Sequence, residues 1–160
     1  MATIITDLKE SFRRGTIYIQ LIYINVGVFI LTTLTEVILQ LFNRSLDGAF
    51  EWLELPASLP RFITQPWSIL TYMFMHAGVM HILFNMLWLY WFGALFLSFF
   101  SAKHLRGVYI LGGICGGLLY MAAYNIFPYF RPMTEYSFML GASASVLAVV
   151  AATAYREPDY

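Results

Sequence analysis

Charge is what this sequence has least of. Nine Lys+Arg and nine Asp+Glu among 160 residues make 11 %, where a soluble globular domain carries about 25 %. That scarcity excludes an ordinary water-soluble domain. The formal net charge is zero and no run of Lys or Arg forms a basic patch, so nothing points to a nucleic-acid partner. Cys115 is the only cysteine, which excludes a disulfide or a cysteine-rich metal site within one chain. Flanked by glycines in an apolar stretch, it reads as a small packing residue. A cleavable signal peptide is not expected either. The first apolar stretch is longer than a secretory h-region, and no clear small-x-small site follows it.

What is abundant is apolar surface, 60 % of the residues. Four stretches, at about 17–41, 80–100, 105–127 and 139–155, are long enough or nearly so to cross a bilayer, which takes ~20 residues as a helix. The expected fold is therefore all-α, a polytopic transmembrane helical bundle, with the lipid bilayer as its solvent. Residues 1–16 read as an amphipathic lead at the membrane surface, with Ile4, Ile5, Leu8 and Phe12 at helical spacing. Residues 17–160 form the membrane domain. Its large outer loop, about 42–79, carries Phe50, Trp52, Leu53, Leu55, Phe62 and Ile63, too apolar for a free loop and suited to the headgroup layer. A polar link, Ser101-Ala-Lys103-His104, is expected before the third span. The third span contains Gly112, Gly113, Gly116 and Gly117, two overlapping G-x-x-x-G patterns that admit a close neighbour. The fourth is short and rich in Ala, Ser, Gly and Val, suited to being wrapped by other helices. With the N-terminus inside, six Lys/Arg fall on inner segments and three on outer ones, which favours a cytoplasmic N-terminus. His76, His81 and Ser143 then lie toward the outer face and His104 toward the inner one.

Polar side chains inside apolar stretches are costly and mark sites. His81 and Asn85 are four apart and share a helix face. Gly141-Ala-Ser143 opens the fourth stretch, where a helix N-terminus favours an oxyanion. Ser143 and Ser145 point ~200° apart on a helix, so one of them at most faces a given site; the nearby glycine favours Ser143. Taken alone, Ser143 also fits a serine bonding its own backbone, and His81 alone fits a packing hydrogen-bonder. The soluble hydrolase pattern G-x-S-x-G is not matched, since Ser145 takes the place of the last glycine. His76 and His81, five apart, make a poor facing pair for a metal, and no third ligand is evident.

The segment His76-Ala-Gly-Val-Met-His81-Ile-Leu-Phe-Asn85-Met-Leu-Trp88, ending in Gly93, resembles the second transmembrane helix of the rhomboid intramembrane serine proteases. Gly141-Ala-Ser143 is similar to their G-x-S nucleophile motif, and Gln65-Pro66-Trp67-Ser68 to the end of their large first loop. The resemblance covers about residues 17–156. It implies an intramembrane serine endopeptidase that cuts transmembrane segments of other membrane proteins near the outer face. Ser143 would be the nucleophile, with Gly141 as the motif glycine. The backbone N–H of Ser143 and the side chains of His81 and Asn85 would hold the oxyanion. No cofactor or metal is implied, and a bacterial member would sit in the inner membrane. The sequence departs from the family at Ser68, which follows Trp67 where an arginine is usual, at Ala144 after the nucleophile, and at Leu147 where some members carry an aromatic residue. The family's catalytic histidine lies on a sixth helix, and none of the three histidines here matches it. The sequence thus resembles four of six core helices, and the chain by itself is expected to lack a general base. The alternative is a catalytically inactive rhomboid-like protein that binds transmembrane clients.

Overall fold

Backbone polar groups in hydrocarbon must be satisfied within their own segment, so apolar stretches of this length fold as helices. A computed structural model describes residues 2–44 and 48–156, and of residues 2–5 and 8 the backbone alone. Among the described residues seven α-helices form: α1 (Ala2–Arg14), α2 (Ile17–Leu41), α3 (Leu59–Thr64), α4 (Ser68–Thr71), α5 (Val79–Phe99), α6 (Ala102–Ile126) and α7 (Ser143–Arg156). The only strands among the described residues are two residues each: β1 (Leu55–Pro56) and β2 (Phe138–Met139), paired antiparallel with Leu55 opposite Met139. The fold is an all-α membrane bundle.

Three helices, α2, α5 and α6, are long and apolar enough to span a bilayer. The expected fourth span is shorter than foreseen. Helix α7 has 14 residues, about 21 Å at 1.5 Å per residue, less than a ~30 Å hydrocarbon core. Its expected first residues are not helical: Met139 belongs to the strand β2 (Phe138–Met139), and the helix starts only at Ser143. The polar link before α6 is likewise shorter than expected. Ser101 stands at the N-cap position, and Ala102, Lys103 and His104 already belong to the helix. Helix α1 forms as read, with Phe12 set edge-to-face against Tyr23 of α2. The side chains of Ile4, Ile5 and Leu8, and the run 157–160, lie outside the described residues.

The buried stripe of α5 (Ile82, Asn85, Met86, Leu89, Gly93, Phe96) and that of α6 (Leu105, Tyr109, Gly113, Gly117, Met121) face inward at helical periods. Helix α7 lies between them. The glycine pairs of α6 explain how closely it approaches. A β-carbon at Gly116 would stand 2.5 Å from the Ala144 β-carbon, and one at Gly112 would overlap that of Ala148. Gly113 and Gly117 serve the other side of the same helix. They admit Met73 with Ser145, and Ile69 with Leu55, respectively. So Gly112 and Gly116 pack α7, whereas Gly113 and Gly117 pack the loop between α2 and α5, with Ser145 of α7 also against Gly113. Helix α2 is peripheral, with only Leu21 and Asn25 buried. It is held at Gly93 by Tyr18 and by the Asn25 amide, which donates to the Tyr109 hydroxyl at 3.2 Å. Cys115 sits on the exposed side of α6, so it is not the small packing residue expected: Gly112, Gly113, Gly116 and Gly117 face the neighbours and turn the cysteine outward.

The outer loop folds over one end of the bundle. Arg61 pairs with Glu51 and lies 4.5 Å from the Phe138 ring centroid. Gln65 donates to the carbonyls of Glu51 and Glu54. Trp52 and Trp67 stack at 6.0 Å, joined by the Trp67 indole N–H to the Trp52 carbonyl. Buried loop backbone needs partners, and here they come from the loop itself and from the segment that leads to Ser143.

Candidate active site

The turn before α7 is pinned from three sides. Gly141 N–H donates to the Tyr72 carbonyl at 2.9 Å, and Ala142 N–H points at His76 Nε2 at 3.4 Å. Two residues upstream, β2 is paired to β1. Tyr72 itself is fully buried, its hydroxyl donating to the Gly113 carbonyl at 2.6 Å. Gly141 has φ +116°, a conformation that side-chain-bearing residues rarely adopt. It has a second reason to be glycine. A β-carbon there would lie 2.7 Å from both Cε1 and Nε2 of His81. The imidazole of α5 therefore rests directly on the backbone that leads into Ser143.

Helix α7 begins at Ser143, with Val146 N–H bonded to the Ala142 carbonyl at 2.8 Å. The N–H groups of the first turn, that of Ser143 among them, have no partner within the helix, and the positive end of the helix dipole lies there. Ser143 is half-buried and lines a cavity of about 380 Å³ with Met80, His81, Phe84, Asn85, Trp88, Val146 and Leu147. Asn85 is held by one amide hydrogen, donated to the His81 carbonyl at 2.9 Å, and its second amide hydrogen remains to be given. The four residues singled out in the sequence, His81, Asn85, Gly141 and Ser143, thus meet at one place. Ser145 does not join them. It is fully buried against Gly113 of α6, and its hydroxyl has no hydrogen-bond partner.

The histidines divide by position. His104 pairs through Nδ1 with the Ser101 hydroxyl at 2.9 Å, at the start of α6. His76 lies beside His81, ring centroids 5.1 Å apart, and is buried. Burial pushes its pKa down to about 4, the neighbouring His81 pushes the same way, and the Phe74 carbonyl opposes them. His76 is therefore neutral at pH 7. No hydrogen bond joins the Ser143 hydroxyl to any of the three among the described residues. Sequence reasoning gave Tyr72 no part and left His76 without one. Nothing local marks either, because their partners at 141 and 142 are more than sixty residues away.

A helical membrane bundle with a serine at a helix start, facing a histidine and an asparagine across a largely apolar cavity, defines a class: membrane proteins equipped for chemistry at an interior polar site. The family model described as Rhomboid domain matches residues 64–160, more than half of the chain, and the chain belongs to the rhomboid family, whose members are generally intramembrane serine proteases. The match takes in all four residues of the cavity constellation. No curated protein matches the chain.

Proposed function

We propose that this chain carries the nucleophile and the oxyanion-binding half of an intramembrane serine endopeptidase, with transmembrane segments of other membrane proteins as substrates. Ser143 is the nucleophile. His81, the second amide hydrogen of Asn85 and the N–H of Ser143 receive the oxyanion of the tetrahedral intermediate. The observation that carries this reading is the cavity shared by Ser143, His81 and Asn85, walled by apolar side chains. Donors fixed in advance in a site that excludes water stabilise developing charge strongly. Gly141 lets His81 come that close.

A serine hydroxyl needs a base within ~2.6–3.2 Å to act as a nucleophile. His81 is committed to the oxyanion, His76 to the Ala142 amide, and His104 to Ser101 at the start of α6. The base must come from outside these residues, and the 160-residue chain alone does not cleave. That same observation supports a second reading, a rhomboid-like protein that holds transmembrane clients in the cavity without cutting them.

The test is to incubate the purified chain in detergent with a transmembrane substrate and with a fluorophosphonate serine probe. No cleavage and slow labelling confined to Ser143 support the proposal. Labelling of Ser145 instead, or robust cleavage by the chain alone, overturns it. Crosslinking of an uncut transmembrane segment at Trp88 or Leu147, with Ser143 unreactive, selects the second reading.

A further inference from the structure

A second cavity, also about 380 Å³, lies against His76. Its lining includes Thr32, Thr33 and Glu36 of α2 and Glu54 of the outer loop, and no Lys or Arg. Glu54 is half-buried, and its pKa is raised by burial and then by nearby Glu51. His76 is 8 % exposed, and its Nδ1 is buried without a hydrogen-bond partner. Because Nε2 accepts the Ala142 N–H, it must carry the lone pair, and the proton of the neutral ring must be on Nδ1. That buried donor makes no hydrogen bond, with the Phe74 carbonyl near it but not in bonding geometry, beside a cavity that Glu36 and Glu54 also line. A buried N–H without an acceptor is costly, and a polar cavity of this size has ample room for water.

We propose that the Glu36/Glu54 cavity binds water that accepts from His76 Nδ1–H and donates to the carboxylates, and that this fixes the tautomer through which His76 positions the Ser143 turn. The proposal rests on the reading of Ser143 as the reactive residue. His76 is a positioning residue, since it touches the backbone of the turn and the ring of His81 but not the reacting atoms. The titratable groups facing it are Glu36 from α2, Glu54 from the loop and His81 from α5; the turn brings none. With Nδ1 protonated and anchored, Nε2 can only accept, and Ala142 N–H is held. With the other tautomer, or with the ring charged, Nε2–H would face Ala142 N–H, donor against donor. The turn would be released on the side where Gly141 meets His81. The cavity thus acts on the serine through His76 and the turn it holds.

The test uses the full chain, 15N-labelled at histidine, in lipid nanodiscs. His76 resonances are assigned by comparison with His76→Gln, and hydrogen exchange is followed at the Ala142 amide. Expected are an Nδ1–H tautomer at pH 7 and a protected Ala142 amide. Exchange there should be about tenfold faster in His76→Phe, roughly one net hydrogen bond. It should stay near wild type in His76→Gln, whose amide oxygen can accept in place of Nε2. Glu36→Ala/Glu54→Ala should shift the His76 Nδ1 resonance and speed the same exchange. An Nε2–H tautomer overturns the proposal, as does an Ala142 amide indifferent to His76→Phe. Silence of both readouts in the double carboxylate variant overturns it too, and assigns Nδ1–H to the Phe74 carbonyl instead. None of these signals depends on whether Ser143 reacts, so failure here and failure of the proposed function are told apart.

Discussion

The imidazole of His81 lies on Gly141 so closely that a β-carbon at residue 141 would stand 2.7 Å from two of its ring atoms. This contact ties α5 to the turn that leads into α7. It makes a glycine two residues before Ser143 a requirement of packing as well as of backbone conformation. Gly141→Ala must either displace the His81 ring or give up φ +116°. The expected result is a loss of about 1–3 kcal/mol in unfolding, the scale of a strained residue, together with loss of fluorophosphonate labelling at Ser143. Titration with SDS in mixed micelles measures the first, and mass spectrometry of the labelled chain the second.

The two serines of α7 separate cleanly. Ser143→Ala should abolish labelling and leave stability unchanged within ~0.5 kcal/mol. Ser145→Ala should leave labelling intact and hold or raise stability by up to about 1 kcal/mol, because it removes a buried hydroxyl without a partner. Reversed results would exchange the roles of the two residues.

Asn85→Ala removes one oxyanion donor while others remain. Where the missing base is supplied, cleavage should fall by on the order of 10–1000-fold, with substrate binding little changed. An equal loss of binding would mean that Asn85 holds substrate rather than the transition state.

The contact between α6 and α7 is set by Gly112 and Gly116 against Ala148 and Ala144. Gly116→Val should cost about 1–3 kcal/mol through overpacking, and Gly107→Val, where a β-carbon meets nothing, much less. The same SDS titration compares the two.

His76 gives the fold an acid-sensitive component with a definite sign. Its pKa is about 4 in the fold and ~6.5 in an unfolded chain. Between those values the unfolded chain binds the extra proton. Stability from this group is therefore full above pH 6.5 and is lost as pH falls toward 4. His76→Gln should flatten that part of the stability profile. A wild-type profile that rises on acidification through this window would refute the assignment.

Much of the bundle was legible in the sequence, and for local reasons. The i, i+4 spacing places His81 with Asn85, and the ~200° between Ser143 and Ser145 sends them to different neighbours. Hydropathy placed α2 and α5 within a residue. The errors lie where distant chain decides. Met139 is apolar enough to open a helix, yet it pairs with Leu55, more than eighty residues earlier. Cys115 reads as a small packing residue, but which side of α6 packs is set by α7 and the loop. The meeting of Glu36, Glu54 and His76 at one cavity joins three separate segments, and no window of sequence contains it.

The residues that hold the turn into Ser143 come earlier in the chain. Leu55, Tyr72, His76, His81 and the glycines of α6 all precede residue 141. In order of synthesis, the partners of the turn are made before the serine they position. Helix α7, too short to span the hydrocarbon by itself, enters a slot already shaped to take it. The nucleophile thus arrives after the residues that hold its turn, and a chain halted before residue 141 would have the His81 and Asn85 wall of the site but neither Val146 and Leu147 nor a reactive group.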